Sequence, residues 1–157
     1  RERIPSFEQA LLHAKGRIKV DVDFKAEGME AREQAYALIK RVGMEREVLF
    51  FLYDYTEMPA LRALNPNISC MPRARTEADL HAIMAMDMCR TVHIDPSFEG
   101  LAVLKEARKI GYTLWINTLG EVDKQGIQGY KDFLKRFPDV TYIQTDLPAL
   151  LKEVVEK

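Results

Sequence analysis

Asp21, Asp23 and Lys25 alternate with Val20, Val22 and Phe24 in the stretch IKVDVDFK, residues 18–25. Period-two alternation predicts one strand with an apolar face and a charged face. Two carboxylates offer the hard oxygen donors that Mg²⁺ or Ca²⁺ take, and a lysine beside them suits a phosphate as a mobile point charge. On a surface strand the same three residues are simply solvated or pair among themselves. A parallel strand inside a closed α/β fold has no solvated face, which turns the reading toward chemistry.

Other polar residues fall at the ends of strand-like runs: Asp54, Arg73, His93 with Asp95, Trp115 with Asn117, and Gln144 with Asp146. His93 and Asp95 share a strand face, as an acid/base pair would. Side chains two apart point in parallel, however, so a structural histidine is the plainer reading and the roles of His93 and Asp95 stay open. His13 and His81 lie in helical stretches among polar neighbours and read as surface residues. Cys70 and Cys89 sit in no CxxC or Cys/His pattern and read as small buried hydrophobes. The methionines of MPR and IMAMDM read as core filling.

These residues are carried by a regular series of elements. Ser6 to Gln9 is a capping box, so a helix starts near 7 and stops at Gly16. Strands are predicted at 18–25, 48–54, 68–72, 89–96, 112–118 and 140–146. Helices are predicted over AREQAYALIKRV, EMPALRAL, ADLHAIMAM, GLAVLKEARKI, YKDFLKRF and PALLKEVVE. Strand–helix alternation with short joints implies a parallel sheet covered by helices, in one domain over 1–157. An open doubly wound sheet and a partial (β/α) barrel both fit. No glycine-rich βα turn announces the open sheet. Both architectures place ligands at the carboxyl ends of strands, where the polar residues gather. In a barrel, Trp115 and Asn117 would face the lumen while Leu114 and Ile116 face the helices.

The 157 residues carry 23 basic and 24 acidic side chains, a formal charge of -1. This balance gives no electrostatic reason to expect nucleic acid as partner, and no apolar run is long enough for a transmembrane segment. RERIPSFEQ does not read as a signal peptide, and the compartment is left open; export would need a leader upstream. Arg1 in place of methionine implies a processed chain or a piece of a longer one.

Five motifs, in order, resemble the glycerophosphodiester phosphodiesterase family: IPSFEQ (4–9), VDVDFK (20–25), FFLYD (50–54), LWINT (114–118) and YIQTDLP (142–148). They are similar to that family's "IPTLEE", "LNIEIK", "ISSF", "WTVN" and "IITDYP", and the resemblance covers nearly the whole chain. It implies a TIM barrel, of which this chain would supply about six βα units, strands 3–8. It implies metal-dependent hydrolysis of a small-molecule phosphodiester to glycerol 3-phosphate and an alcohol, as in lipid metabolism. By the resemblance Asp23 falls on the metal ligand, with Mg or Ca as the divalent metal. Lys25 falls on the lysine near the phosphate, Trp115 on the tryptophan of the glycerol pocket, and Tyr53 on the phenylalanine of "ISSF", so that Lys25, Trp115 and Tyr53 would bind the substrate.

The chain departs from the pattern in places. The metal position holds aspartate instead of glutamate, and Phe51 and Leu52 replace two serines. The family's "HRG…PENT" segment, with its acid/base histidines and other metal carboxylates, precedes the first shared motif. None of those histidines is matched here. The expectation is therefore that this chain alone is inactive and needs the N-terminal barrel segment, in cis or from a partner chain. A degenerate barrel that binds a sugar or phosphate without catalysis is the alternative reading. An unrelated α/β hydrolase or isomerase is disfavoured, because neither a nucleophile elbow nor a glycine-rich phosphate loop is present.

Overall fold

A computed structural model of the chain describes residues 3–25 and 28–156. Backbone contacts group it into two compact units, Arg1–Pro72 and Arg73–Lys157.

The first unit holds α1 (Phe7–Ala14), β1 (Val20–Asp23), α2 (Met29–Val42), β2 (Val48–Leu52), α3 (Met58–Leu64) and the start of β3 (Cys70–Ala74). Ser6 and Gln9 close the predicted capping box on α1, which buries Leu11 and Ala14. Gly43, with φ 73°, ends α2 in the left-handed conformation that glycine tolerates, and its N–H reaches the carbonyls of Ile39 and Lys40. β1 pairs with β2 in parallel from Val20↔Val48 to Asp23↔Phe51, and β2 with β3 from Phe50↔Cys70 to Leu52↔Pro72. Val48, Phe50 and Leu52 alternate inward along β2 and join Ile39, Met44, Met58 and Leu61 in the core. Burying such side chains stabilises the fold by about 1.5–3 kcal/mol each.

The second unit holds the end of β3, α4 (Glu77–Met86), β4 (Thr91–Ile94), α5 (Val103–Lys109), β5 (Thr113–Asn117), α6 (Glu121–Lys124), α7 (Gly126–Arg136), β6 (Tyr142–Gln144) and α8 (Pro148–Val155). β3 pairs with β4 at Arg73↔His93, β4 with β5 at His93↔Trp115, and β5 with β6 at Trp115↔Tyr142, all parallel. Leu114 and Ile116 are fully buried. Trp115 is half-buried and Asn117 exposed, so the expected parity of β5 holds. Both cysteines are buried and neither is in a disulfide, and His13 and His81 are exposed, as read from the sequence.

Several elements differ from expectation: α6 lies where no helix was expected, and β4 and β6 are shorter than the predicted 89–96 and 140–146. The strand placed at 68–72 runs over Cys70–Ala74, because the Ile68 N–H closes a turn on the Asn65 carbonyl and delays the start. The strand placed at 18–25 is only Val20–Asp23, so Lys25 lies beyond its end. The strands follow one another in sequence order and every pairing is parallel. This is the topology of a partial TIM (β/α) barrel; the doubly wound alternative requires a reversal of strand order. Among the described residues no helix is long and apolar enough to cross a membrane.

Candidate functional site

In the first unit the tips of β1 and β2 bring three of the sequence-selected residues together. The Tyr53 hydroxyl donates to Asp23 Oδ1 at 2.8 Å, and Lys25 Nζ lies 2.9 Å from Asp23 Oδ2. The register Asp23↔Phe51 sets up this meeting, since Tyr53 follows two residues after Phe51, just past the end of β2. Phe51 packs its ring edge-on against Tyr53 at 4.8 Å. Burial alone would raise the Asp23 carboxyl, but the bonds from Lys25 and Tyr53 outweigh it and hold it below the usual value. The same contacts push Lys25 up, chiefly through the bond to Asp23, and push the Tyr53 phenol up for the same reason.

The charged face is not shut away from water, contrary to expectation. The side chains of Asp23 and Lys25 are 48% and 72% exposed. β1 is an edge strand of the described sheet, so the argument from a fully covered strand does not reach it. Asp21, though exposed as a residue, has its carboxyl pushed up to about 6, first by burial of the group and then by the like charge of Asp23.

In the second unit Arg73, His93, Trp115 and Tyr142 form one register row across β3 to β6, and register partners share a sheet face. Asp95 grips Arg73 by two bonds, from Nε at 2.9 Å and from Nη2 at 2.8 Å. His93, 5% exposed, sets Nε2 3.3 Å from Asn117 Oδ1 and Nδ1 3.9 Å from Asp95 Oδ1. Burial, with the Arg73 charge, lowers its pKa against the opposing pull of Asn117 and Asp95, which favours the neutral ring. Trp115 stacks on Tyr142 with centroids 5.3 Å apart and planes 20° apart. Its Nε1 is buried and meets no hydrogen-bond acceptor among the described residues.

The other strand-tip residues do structural work. Asp54 caps the short 3-10 turn Tyr55–Glu57, accepting from the Thr56 N–H. Asp146 donates its backbone N–H to Asp123. Asp123, 6% exposed, and Arg32, 8% exposed, were not singled out from the sequence. Both lie in polar helical stretches, where nothing distinguishes a buried charge from a solvated one.

A divalent cation needs several hard ligands held together. Among the described residues no group of three or more His, Cys, Asp or Glu is gathered for one, and both Asp23 oxygens already receive bonds from Tyr53 and Lys25. The residues present do not by themselves fit a complete metal site.

No protein-family model matches the chain, and no curated protein matches it in sequence. Solved structures do match. A glycerophosphodiester phosphodiesterase from Agrobacterium tumefaciens superposes on 96% of the chain with TM-score 0.75 and 20% identity. A glycerophosphoryl diester phosphodiesterase from Parabacteroides distasonis superposes on 98% with TM-score 0.79 and 19% identity. A phosphodiesterase from Oleispira antarctica, solved with the product sn-glycerol-3-phosphate, superposes on 98% with TM-score 0.65 and 16% identity. The chain spans 62%, 56% and 62% of those three structures. What the five motifs implied therefore holds at the level of fold: nearly the whole of this chain has the fold of a part of a glycerophosphodiester phosphodiesterase.

Proposed function

We propose that the chain is the substrate-binding portion of a glycerophosphodiester phosphodiesterase, a hydrolase releasing glycerol 3-phosphate and an alcohol. The Asp23–Tyr53–Lys25 cluster carries this reading, because three motif positions chosen by resemblance meet at the tips of adjacent strands. Lys25 neutralises phosphoryl charge, and Tyr53 holds Asp23 in place. Trp115 lines a glycerol pocket with its ring. Hydrolysis of a phosphodiester also needs charge stabilisation and a proton donor for the leaving alcohol. In this proposal both come from an N-terminal barrel segment, in the same polypeptide or from a partner chain. Asp23, whose two oxygens here bond Tyr53 and Lys25, would be one ligand of a Mg or Ca ion, the others coming from that segment.

The test is release of glycerol 3-phosphate from glycerophosphodiesters by this chain joined to, or mixed with, such a segment, with and without chelator. Turnover that chelator abolishes is expected, and absence of turnover in every combination rejects the proposal. The second reading is a non-catalytic module that binds a sugar or phosphate. The engagement of both Asp23 oxygens by protein groups favours it. Binding of glycerol 3-phosphate without turnover in any combination would select that reading.

A further inference from the structure

We propose that Arg32 is the positioning residue of the Asp23–Tyr53–Lys25 cluster, joining the chain after β1 to the chain after β2 and so fixing the distance across which Tyr53 reaches Asp23. The proposal rests on reading that cluster as part of the site.

Arg32 is the fourth residue of α2 and only 8% exposed. A cation near a helix N-terminus opposes the macrodipole, and a buried cation is costly unless paired. Its place in the fold therefore depends on the groups that receive it. Nη2 donates to Glu57 Oε2 at 2.5 Å, and Cζ lies 5.8 Å from the centre of the Phe24 ring. Phe24 stands between Asp23 and Lys25 in the chain. Glu57 ends the 3-10 turn that Asp54 caps directly after Tyr53. A planar guanidinium can offer its edge to a carboxylate and its face to a ring at once, which neither lysine nor methionine does.

The bonds inside the cluster hold this geometry only weakly. Asp23 and Lys25 are largely exposed, and exposed ion pairs hold geometry weakly. The Arg32–Glu57 pair, with side chains 10% and 33% exposed, is better shielded from water than the Asp23–Lys25 pair and so holds its geometry more firmly.

The experiment reads the Tyr53 hydroxyl by the ¹³Cζ resonance of labelled tyrosine at fixed neutral pH, assigned with Tyr53→Phe. Arg32→Met and Phe24→Leu are compared with wild type, and folding is followed separately by circular dichroism. Loss of the bonded-hydroxyl shift in folded Arg32→Met and Phe24→Leu is the expected result. A merely structural Arg32 would lower the thermal midpoint and leave the Tyr53 resonance of the folded protein unmoved; that result overturns the proposal. If Arg32→Met does not fold, Phe24→Leu decides, since it removes the ring contact without touching a charge. The readout involves no hydrolysis, so its failure and failure of the phosphodiesterase reading are separate events.

Discussion

Asp123→Asn tests how the second unit holds the loop that carries the last motif. Asp123 Oδ1 accepts from the Tyr130 hydroxyl at 2.9 Å and the Thr145 hydroxyl at 3.1 Å, and Oδ2 accepts the Asp146 N–H at 2.9 Å. Burial alone would raise this carboxyl. Hydrogen bonds from the Asp146 backbone, Thr118, Tyr130 and Thr145 outweigh it and keep the pKa low. The asparagine keeps the shape but gives up one acceptor and turns an NH₂ toward a donor. The Tyr130 and Thr145 hydroxyls lie 2.6 Å apart and can partly satisfy each other, so the loss falls mainly on the Oδ2 side. A charge-assisted bond contributes about 1.5–3 kcal/mol, and one stranded buried donor costs about 1–3 kcal/mol more. A net loss of about 3 kcal/mol is expected, equivalent to about 6–12 °C in Tm for a chain of this size. Trp115, the single tryptophan, lies in the same unit and reports the transition by fluorescence in urea. Because the folded pKa is depressed, the stabilisation is present above the unfolded carboxyl value and lost as pH falls through the folded one. The gap between wild type and Asp123→Asn should therefore close in acid. A variant within about 0.5 kcal/mol of wild type at neutral pH would refute the reasoning, since that is the ordinary scatter of surface substitutions.

Asp21 behaves in the opposite sense. Its raised pKa favours the protonated fold, so its contribution is complete below the ordinary value of 3.8 and lost as pH rises through about 6. Asp21→Asn should gain stability over wild type at neutral pH and little near pH 4; a pH-independent difference in urea midpoints would contradict this. Arg73→Leu should cost about 2–3 kcal/mol by stranding the half-buried Asp95 carboxylate, and adding Asp95→Leu should restore most of it. A double mutant as unstable as the single one would show that the pair is not the cause. Trp115→Phe should cost less than about 1.5 kcal/mol, because removing a buried indole N–H without an acceptor offsets part of the lost packing. Urea unfolding followed by circular dichroism measures it.

Legibility in the sequence followed the range of the interactions involved. β1 and β5 show their alternation residue by residue, and α1 and α4 show capping boxes at Ser6 and Thr76. Such signals are local and survive in one dimension. β3 was displaced by two residues because the Ile68–Asn65 turn leaves no compositional mark. α6, in GEVDKQG, resembles a loop in composition, and its stability comes from Asp123 meeting residues far along the chain. The meeting of Asp23, Lys25 and Tyr53 was readable only through motif order. That their faces remain wet was not, since it depends on β1 lying at the edge of the described sheet. Arg32 was invisible for the same reason: two of its partners lie 8 residues before it and 25 after it.

Pro72 sits inside β3, where the partner strand changes from β2 at Pro72 to β4 at Arg73. Its ring fixes φ near the extended value and sterically excludes the helical region for Met71, which is fully buried. Two of the five residues of β3 are therefore biased toward their native conformation even in the unfolded chain. Part of the entropy of ordering this strand is thus removed by covalent structure, before any neighbour has docked.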